Sequence, residues 1–330
     1  MTLPDITVLA LGGTIASVPD AEGRNARMDL SGADLLASVP QLGQFAQLRA
    51  ESFRQSGSAE LTFADILALA HRIDALVGQC HGIVVTQGTD TLEETAFLLD
   101  HLVTADLPVV VTGAMRNSGL PGADGPANLL HAVRVAASAD ARGLGTLVVV
   151  NDEIHAARFV RKMHATSTAT FQSPGLGPIG WVAEDRVRIP LVPRRRSPRM
   201  SAPGMSVDAR VALVRLAFDD SPALLDLITP DDFDGAVVET YGAGHISTRV
   251  LAALSRLAAR MPTVFASRTG AGELHTSTCD FPGSELRLRE AGLISAVALD
   301  GLKSRLLLAL TLASGGGRAE VQKAFEDSVS

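Results

Sequence analysis

Short apolar segments rich in β-branched residues alternate along the chain with longer segments rich in alanine and leucine. The short segments carry apolar residues at consecutive positions, which is typical of strands buried on both faces. Such strands, alternating with helices, indicate a parallel sheet covered by helices on both sides, a three-layer arrangement. In the first part of the chain, the predicted strands are 6–11, 82–86, 108–112 and 146–150, and the predicted helices are 61–77, 92–103 and 127–138.

This alternation breaks over 193–208, PRRRSPRMSAPGMSVD, where proline, arginine and small residues are concentrated. We interpret this segment as an exposed linker rather than as a patch that binds anions. A second alternation follows, with predicted strands 211–217, 235–239 and 262–267 and predicted helices 247–260 and 300–314. The sequence therefore predicts an α/β N-terminal domain over 1–193, a linker over 194–209 and a smaller α/β C-terminal domain over 210–330.

Composition and charge disfavour a nucleic-acid-binding, membrane-bound or secreted protein. The 330 residues carry a net charge of −7, which gives no bulk attraction for nucleic acid or for an acidic membrane surface. No apolar run has the length of a membrane span, and no Lys or Arg precedes the first apolar segment, unlike in a signal peptide. Cys80 and Cys279 lie far apart in sequence, and we expect two free thiols in a cytoplasmic protein.

Small and polar residues directly follow three of the predicted strands. The segments are GGT at 12–14, QGTDT at 87–91 and GAM at 113–115. Glycine allows the backbone to turn sharply and to approach a ligand closely. In open α/β sheets, ligands bind at the carboxyl ends of the strands, so these segments predict a pocket there.

Structural roles explain part of this pattern. Thr14 can cap local backbone, and Asp90 or Thr91 can cap the helix predicted from residue 92. A cap does not explain why Thr89 and Asp90 both lie at the tip of a buried strand. A phosphate-binding loop is disfavoured, because none of the three segments continues as G-x-G-x-x-G or G-x-x-x-x-G-K-[ST].

Two further observations concern candidate catalysts. Lys162 follows the strand predicted at 146–150; such a lysine is most often a surface cation, but a desolvated lysine can act as a base. The histidines include no H-x-x-x-H pair and no Cys/His ligand cluster in sequence, which disfavours a metal enzyme. We therefore predict no metal and no cofactor.

The chain resembles the bacterial-type L-asparaginase family of asparaginase/glutaminase amidohydrolases over nearly its whole length. Several independent segments at matching spacing carry this resemblance, which is more specific than any one of them. In family order, they are GGTIAS (12–17), GTDTLEETAF (88–97), VTGAMR (111–116), ADGPANL (123–129), VVVND (148–152), ATFQSPGLGPIGWV (169–182) and LKSRLLLAL (302–310).

The resemblance implies a catalytic set of Thr14, Thr89, Asp90 and Lys162. Thr14 and Thr89 would face each other across an amide substrate, with Thr14 accepting the acyl group. Lys162 would be the base for Thr89, oriented by Asp90; which threonine attacks first stays open. Backbone N–H groups near Gly13, Thr89 and Ala114 would stabilise the oxyanion.

The resemblance also implies a substrate site. Ser58 would hold the α-carboxylate of the substrate and Asp90 its α-amino group, and Glu285 would reach the substrate of a neighbouring subunit. The enzyme would then be a homo-oligomer, a dimer or tetramer, with shared sites. The full predicted substrate-binding set is Ser58, Gly88, Asp90, Ala114, His245 and Glu285.

The chain departs from the family pattern at several positions. It has Leu11 and Gln87 where the family commonly has Thr and His, and Ala59 and His245 where Gln and Asn are expected. Segment 20–30 has no counterpart of the lid tyrosine; the single tyrosine is Tyr241. These departures affect the expected affinity and the choice between asparagine and glutamine more than the type of reaction.

Three functions are compatible with these residues. The first is an L-asparaginase with glutaminase side activity. The second is an amidotransferase subunit that supplies ammonia for mischarged tRNA, which is disfavoured because that relative usually carries an extra N-terminal region. The third is a non-catalytic protein that binds an amino acid, against which the intact Thr, Asp and Lys set argues.

Overall fold

The computed structural model describes residues 2–19, 26–28, 30–193, 198–200 and 205–328. The chain divides into two compact units, Met1–Arg199 and Met200–Ser330. The division falls inside the predicted linker, and half of that linker, 194–197 and 201–204, lies outside the described residues. Each unit is an α/β structure, in agreement with the predicted fold class.

The first unit consists of strands and helices that alternate through much of its length. Its strands are β1 (Asp5–Ala10), β2 (Ser17–Pro19), β3 (Ala26–Met28), β4 (Gln47–Ser52), β5 (Gly82–Thr86), β6 (Val109–Thr112), β7 (Thr146–Val150), β8 (Glu153–Ala156), β9 (Arg161–Lys162), β10 (Phe171–Gln172), β11 (Gly180–Ala183) and β12 (Arg186–Arg188). Its helices are α1 (Gly32–Ala37), α2 (Phe63–Ala75), α3 (Leu92–Leu102) and α4 (Gly125–Ala137).

The large sheet of this unit has the strand order β12-β11-β8-β7-β6-β5-β1-β4. The strands from β4 to β7 run parallel, and β8, β11 and β12 continue the sheet with antiparallel pairs. The sequence predicted β1, β5, β6 and β7 but missed β4. That strand lies at the edge of the sheet and is largely exposed, so it lacks the continuous apolar run of a buried strand.

Both faces of the sheet are covered. Val84 and Val110 belong to a core cluster that includes Leu129 and Val133 of α4. Side chains of neighbouring strand residues point to opposite faces, and Ile83, next to Val84, is also fully buried. Helix α3 packs on β6 and β7, and α2 packs on α3. The parallel part of the sheet is therefore the middle layer of the predicted three.

Local sequence sets the ends of the helices. The predicted helix 61–77 is shorter in the structure, because a capping box starts α2 at its first turn: the Thr62 hydroxyl accepts from Asp65 N–H, and the Asp65 carboxylate accepts from Thr62 N–H. Helix α4 starts two residues earlier than predicted, with Pro126 in its first turn, where the missing N–H of proline costs nothing.

The second unit has a smaller parallel sheet in the order β13-β14-β15-β16. Helix α8 packs on three of its strands, β13, β14 and β15. The strands are β13 (Val211–Arg215), β14 (Gly235–Thr240), β15 (Thr263–Ser267) and β16 (Ile294–Ser295), and the helices are α5 (Ala223–Asp226), α6 (Thr248–Arg260), α7 (Glu285–Glu290), α8 (Gly301–Ala313) and α9 (Arg318–Asp327).

Candidate active site

Three loops leave the carboxyl edge of the large sheet side by side. In the register of the sheet, Ala10 of β1 pairs with Thr86 of β5, and Thr86 pairs with Thr112 of β6. The segments that follow these residues are therefore neighbours: 11–14, 87–91 and 113–116. Parallel strands place their carboxyl ends at one edge, which is why three polar segments that are distant in sequence meet here.

The first two loops are in direct contact through glycine. Gly12 and Gly13 have φ angles of 100° and 85°, a backbone conformation that residues other than glycine rarely adopt. A Cβ atom on Gly13 would lie 2.1 Å from the backbone nitrogen of Gly88. The residues that follow these glycines, Thr14 and Thr89, are therefore on loops that touch each other.

We expect Gly13→Ala to destabilise the first unit far more than the backbone strain of an alanine at a positive φ angle would by itself. Gly143 has a similar φ of 78° but no neighbour within 4 Å of its Cβ direction, so Gly143→Ala isolates the conformational strain. That strain costs about 1 kcal/mol, and the clash should add at least about 2 kcal/mol to it. Urea unfolding of the two variants measures the difference; equal losses would mean that the loops separate easily.

The amine of Lys162 joins the second loop. Lys162 Nζ donates to Thr89 Oγ1 at 2.9 Å and to Asp90 Oδ1 at 2.7 Å. The lysine side chain is only 16% exposed, so it is not an ordinary surface cation. Its backbone is fixed as well, because Lys162 N–H donates to Glu93 Oε2 at 2.7 Å and β9 pairs with β10. A hydroxyl, an amine and a carboxylate are thus in one row.

The second loop is also tied to Ser58. Thr91 occupies the cap position of α3, but its hydroxyl makes no cap hydrogen bond and donates instead to Ser58 O at 2.8 Å. A Cβ atom on Gly88 would lie 2.8 Å from Ser58 Oγ, so the buried serine hydroxyl lies directly over this glycine. The cap explanation for Thr91 is therefore wrong, and the structure brings Ser58, Gly88 and Thr89 together.

The third loop is held by two residues that the sequence did not assign to the site. The Asp124 carboxylate accepts from Met115 N–H and Arg116 N–H at 2.9 Å each, rather than from the first turn of α4. Asn128 Nδ2 donates to Gly113 O at 2.9 Å. These bonds fix the backbone around buried Ala114. The motif ADGPANL contained both residues, but only their contacts identify them as supports of this loop.

Gln87, one of the departures from the family pattern, is the first residue of the second loop and is completely buried. Its Nε2 donates to Gly88 O at 3.2 Å. Among the described residues, neither Gln87 Oε1 nor the hydroxyl of the preceding Thr86 has a hydrogen-bond partner. The glutamine therefore supports the Gly88 backbone directly, while the last hydroxyl of β5 contributes no protein hydrogen bond.

The other two predicted substrate residues, His245 and Glu285, belong to the second unit. His245 Nε2 lies 3.3 Å from Glu285 Oε2, and the glutamate is completely buried. Burial alone would raise the pKa of this carboxyl, but backbone N–H groups of Cys279 and Thr278 and the nearby His245 bring the pKa below its usual value. In this unit, Glu285 therefore has an environment that favours the carboxylate.

The structure describes only part of the lid segment 20–30, whereas it describes Tyr241 fully. Residues 20–25 and 29 of the lid segment lie outside the described residues. Tyr241 donates its hydroxyl proton to Ala217 O, and the Arg268 guanidinium lies 4.5 Å from the centre of its ring. These contacts within the second unit account for Tyr241 by packing.

Another buried histidine, His155 in the first unit, is expected to make the stability of this unit depend on pH. His155 on β8 is completely buried, its Nδ1 lies 2.9 Å from Ser173 Oγ, and burial lowers its pKa to about 4 from the usual 6.5. As pH falls below 6.5, the unfolded chain takes up a proton at this residue and the folded chain does not, so stability is lost until about pH 4.

From this shift we expect His155 to remove about 2 kcal/mol of unfolding free energy between about pH 7.5 and about pH 5. Replacing His155 with glutamine, which stays neutral, should abolish that part of the pH dependence. Urea unfolding at both pH values measures it, with His71→Gln on the exposed side of α2 as the control. An unchanged slope in His155→Gln would contradict the neutral histidine.

Comparison with known proteins gives a consistent result. The family model described as "Asparaginase, N-terminal" matches residues 5–194, and "Glutaminase/Asparaginase C-terminal domain" matches 210–325. The chain is 34% identical to L-asparaginase 2 of Bacillus subtilis, covering 98% of this chain and 87% of that protein. It is 31% identical to a glutaminase-asparaginase of Pseudomonas fluorescens, covering 98% and 90%.

A solved structure has the same fold. The crystal structure of a probable cytoplasmic L-asparaginase from Campylobacter jejuni superposes with a TM-score of 0.87 at 30% identity, covering 98% of this chain and 99% of that one. Of the helices that the structure describes, none combines the length and apolar character that crossing a bilayer requires. The family resemblance of the sequence motifs is thereby confirmed.

Proposed function

This chain belongs to the asparaginase family, and from that we propose that it is an amidohydrolase that converts L-asparagine to L-aspartate and ammonia through threonine nucleophiles. One observation carries the proposal beyond family membership. Lys162 Nζ lies within hydrogen-bond distance of both Thr89 Oγ1 and Asp90 Oδ1, at 2.9 and 2.7 Å. A hydroxyl with a positioned base is the arrangement that an unactivated amide requires.

We assign the proton transfer to Lys162. Its amine takes the proton of the Thr89 hydroxyl, and the Asp90 carboxylate orients the amine by accepting from it. Removing this proton is necessary because a neutral hydroxyl is a weak nucleophile. Glu93 supports the same arrangement from behind, since its carboxylate accepts from Lys162 N–H at 2.7 Å.

We assign Thr14 as the residue that accepts the acyl group, with both threonines catalytic. Attack of a hydroxyl oxygen on the amide carbon forms a tetrahedral oxyanion, which backbone N–H groups near Gly13, Thr89 and Ala114 would stabilise. Collapse breaks the C–N bond, and the nitrogen leaves as ammonia with the hydroxyl proton of whichever threonine attacks; when Thr89 attacks, Lys162 carries that proton to the nitrogen. Water then hydrolyses the ester to release aspartate and regenerate the threonine.

The substrate is held, in this proposal, by groups around the same loops. The hydroxyl of Ser58 binds the α-carboxylate, and Asp90 binds the α-amino group, beside the small residues Gly88 and Ala114. Ser58 is supported for this role by its position over Gly88, where a Cβ atom would come within 2.8 Å of its hydroxyl. His245 and Glu285 would complete the recognition of the amino acid.

Three finer properties remain predictions. We propose L-glutamine as a second substrate, because one relative is named a glutaminase-asparaginase. A homo-oligomer, a dimer or tetramer, follows from the assignment of Glu285 to the substrate of a neighbouring subunit. A cytoplasmic location agrees with the name of the Campylobacter jejuni protein, which is called cytoplasmic.

Ammonia release from each amide tests the function directly. The purified protein is incubated with L-asparagine and separately with L-glutamine, and ammonia and the product acid are measured over a range of concentrations. We expect turnover of asparagine, with a higher kcat/KM than for glutamine. Absence of ammonia from both amides, by a protein whose binding of aspartate is shown by a thermal shift, would overturn the proposal.

A further inference from the structure

The second unit brings together three side chains that are typical metal ligands. One ligand atom each of His245, Cys279 and Glu285 lie within 4.8 Å of one another. Cys279 lies in the segment that precedes α7, and Glu285 is the first residue of that helix, whereas His245 follows β14. No spacing motif in the sequence joins them, because the histidine comes from a separate part of the chain.

Two atoms of this cluster have unused bonding capacity. Glu285 Oε1 accepts from Thr278 N–H at 2.9 Å and from Cys279 N–H at 2.8 Å. Glu285 Oε2 and His245 Nε2 are buried, and within the described part of the chain neither has a hydrogen-bond partner. The two atoms lie 3.3 Å apart, so the completely buried carboxylate is balanced either by ion pairing with His245 or by a metal cation held between them.

Backbone contacts hold the ligands in place. Tyr241 and His245 exchange backbone hydrogen bonds at 2.8 and 2.9 Å, and Ile246 N–H donates to Gly283 O at 2.8 Å. Gly244, with a φ of 112°, allows this turn to pack against Glu285: a Cβ atom there would lie 3.1 Å from Glu285 Cβ. The histidine and the glutamate are therefore positioned by the fold rather than by contact with each other alone.

From this geometry we propose, in contrast to the expectation from the sequence that the protein holds no metal, that His245, Cys279 and Glu285 form a zinc-binding site. Ligands of tetrahedral zinc, about 2.0 to 2.3 Å from the metal, lie about 3.3 to 3.6 Å apart. His245 Nε2 and Glu285 Oε2 already have this separation, 3.3 Å. The thiol of Cys279 needs a side-chain movement of at most about 1 Å to complete the set.

The donor set selects the kind of metal. One imidazole nitrogen, one thiolate and one carboxylate suit zinc, whereas calcium and magnesium prefer oxygen ligands alone. The Cys279 thiol must lose its proton on binding, and this proton passes to the buffer. Three protein ligands leave a fourth position for water, as in open zinc sites. The bound ion would occupy the Glu285 carboxylate, which the proposed function assigns to recognition of the substrate amino acid.

Direct metal binding tests this site without any need for turnover. The full-length protein, reduced with a phosphine, is titrated with zinc chloride in a calorimeter. We expect one ion for each chain with a Kd of about 10 µM or tighter, weaker than sites with four protein ligands. Cobalt(II) in place of zinc should give the thiolate-to-cobalt charge-transfer band in the near ultraviolet, which identifies cysteine as a ligand.

Matched variants identify the ligands. Cys279→Ser should remove the charge-transfer band, whereas Cys80→Ser, which changes the other cysteine, should keep it. Mutating a residue that only hydrogen-bonds to a metal ligand weakens metal binding roughly 10- to 100-fold. His245→Ala and Glu285→Gln remove the ligands themselves, so each should weaken zinc binding by more than that. His71→Ala on the surface of the first unit should leave the Kd unchanged.

Three results would overturn the proposal. The first is the absence of zinc binding by the wild-type protein, in which case His245 simply pairs with Glu285 as a cation. The second is a cobalt band that survives in Cys279→Ser. The third is zinc affinity that is the same in His245→Ala and in His71→Ala, which would mark adventitious surface binding. None of these depends on whether the protein hydrolyses asparagine.

Discussion

Replacing Thr89 with valine is expected to lower kcat for asparagine by about 10⁴-fold or more, equivalent to about 5.5 kcal/mol of transition-state stabilisation. Valine keeps the shape of threonine but lacks the oxygen to which Lys162 Nζ donates at 2.9 Å. Without it, the lysine has no hydroxyl to deprotonate in this loop. Steady-state ammonia release, with folding checked by circular dichroism, measures the effect.

Thr86→Val is the matched control for this variant. Thr86 lies three residues earlier, is also buried and has a hydroxyl with no hydrogen-bond partner among the described residues. The same substitution should therefore leave kcat within about twofold and leave stability unchanged or slightly higher, because it removes an unsatisfied buried group. Comparable activity of Thr89→Val and Thr86→Val would show that the Thr89 hydroxyl takes no part in the reaction.

Replacing Lys162 with arginine is expected to lower kcat by about 10³-fold or more, although the positive charge is retained. A guanidinium stays protonated under all ordinary conditions and cannot accept the Thr89 proton. An electrostatic role, in which the cation merely holds Asp90 2.7 Å away, would instead tolerate arginine. The comparison of kcat and KM for Lys162→Arg and Lys162→Met therefore separates a base from a positioning cation.

Lys323→Arg is the corresponding control. Lys323 also pairs with a carboxylate, Asp327 at 2.6 Å, but on the exposed surface of α9 in the second unit. This substitution should change neither kcat nor stability measurably, as is usual for exposed ion pairs. If Lys162→Arg kept activity within about tenfold of the wild type, the assignment of Lys162 as the base would be wrong.

The candidate site depends on close backbone contact as much as on catalytic groups. Gly13 approaches Gly88 so closely that any side chain would collide, and Ser58 occupies the space beside Gly88. This compactness explains why small residues occur at the ends of neighbouring strands. The departure at Gln87 changes a group beside this arrangement, whereas Thr14, Thr89, Asp90 and Lys162 match the family pattern.

Sequence reasoning predicted the central part of the fold well. Strands β5 and β7 have the predicted limits, and α3 ends within one residue of its predicted end. These elements are buried on most sides, so their apolar patterns are strong. The sequence analysis missed β4 and the antiparallel strands β11 and β12, because exposed positions interrupt each of them and no long apolar run occurs.

By itself, the sequence determined which residues lie at the carboxyl edge of the sheet, because strand order along the chain and parallel pairing fix that edge. It could not determine which distant groups touch. The bond of Lys162 to Thr89 spans 73 residues, and the bond of Thr91 to Ser58 O spans 33. The proximity of His245 to Cys279 and Glu285 likewise could not be predicted from the spacing of these residues in the sequence.

The tertiary structure decided these contacts for a physical reason. A polar side chain such as Thr91 or Asp124 can satisfy the helix that follows it or a loop that folds against it, and local sequence is the same in both cases. Which of the two partners is nearer depends on where the folded chain places the neighbouring loop. In the folded chain both side chains bond to a neighbouring loop instead, and these bonds fix the backbone around Ser58, Thr91 and the third loop.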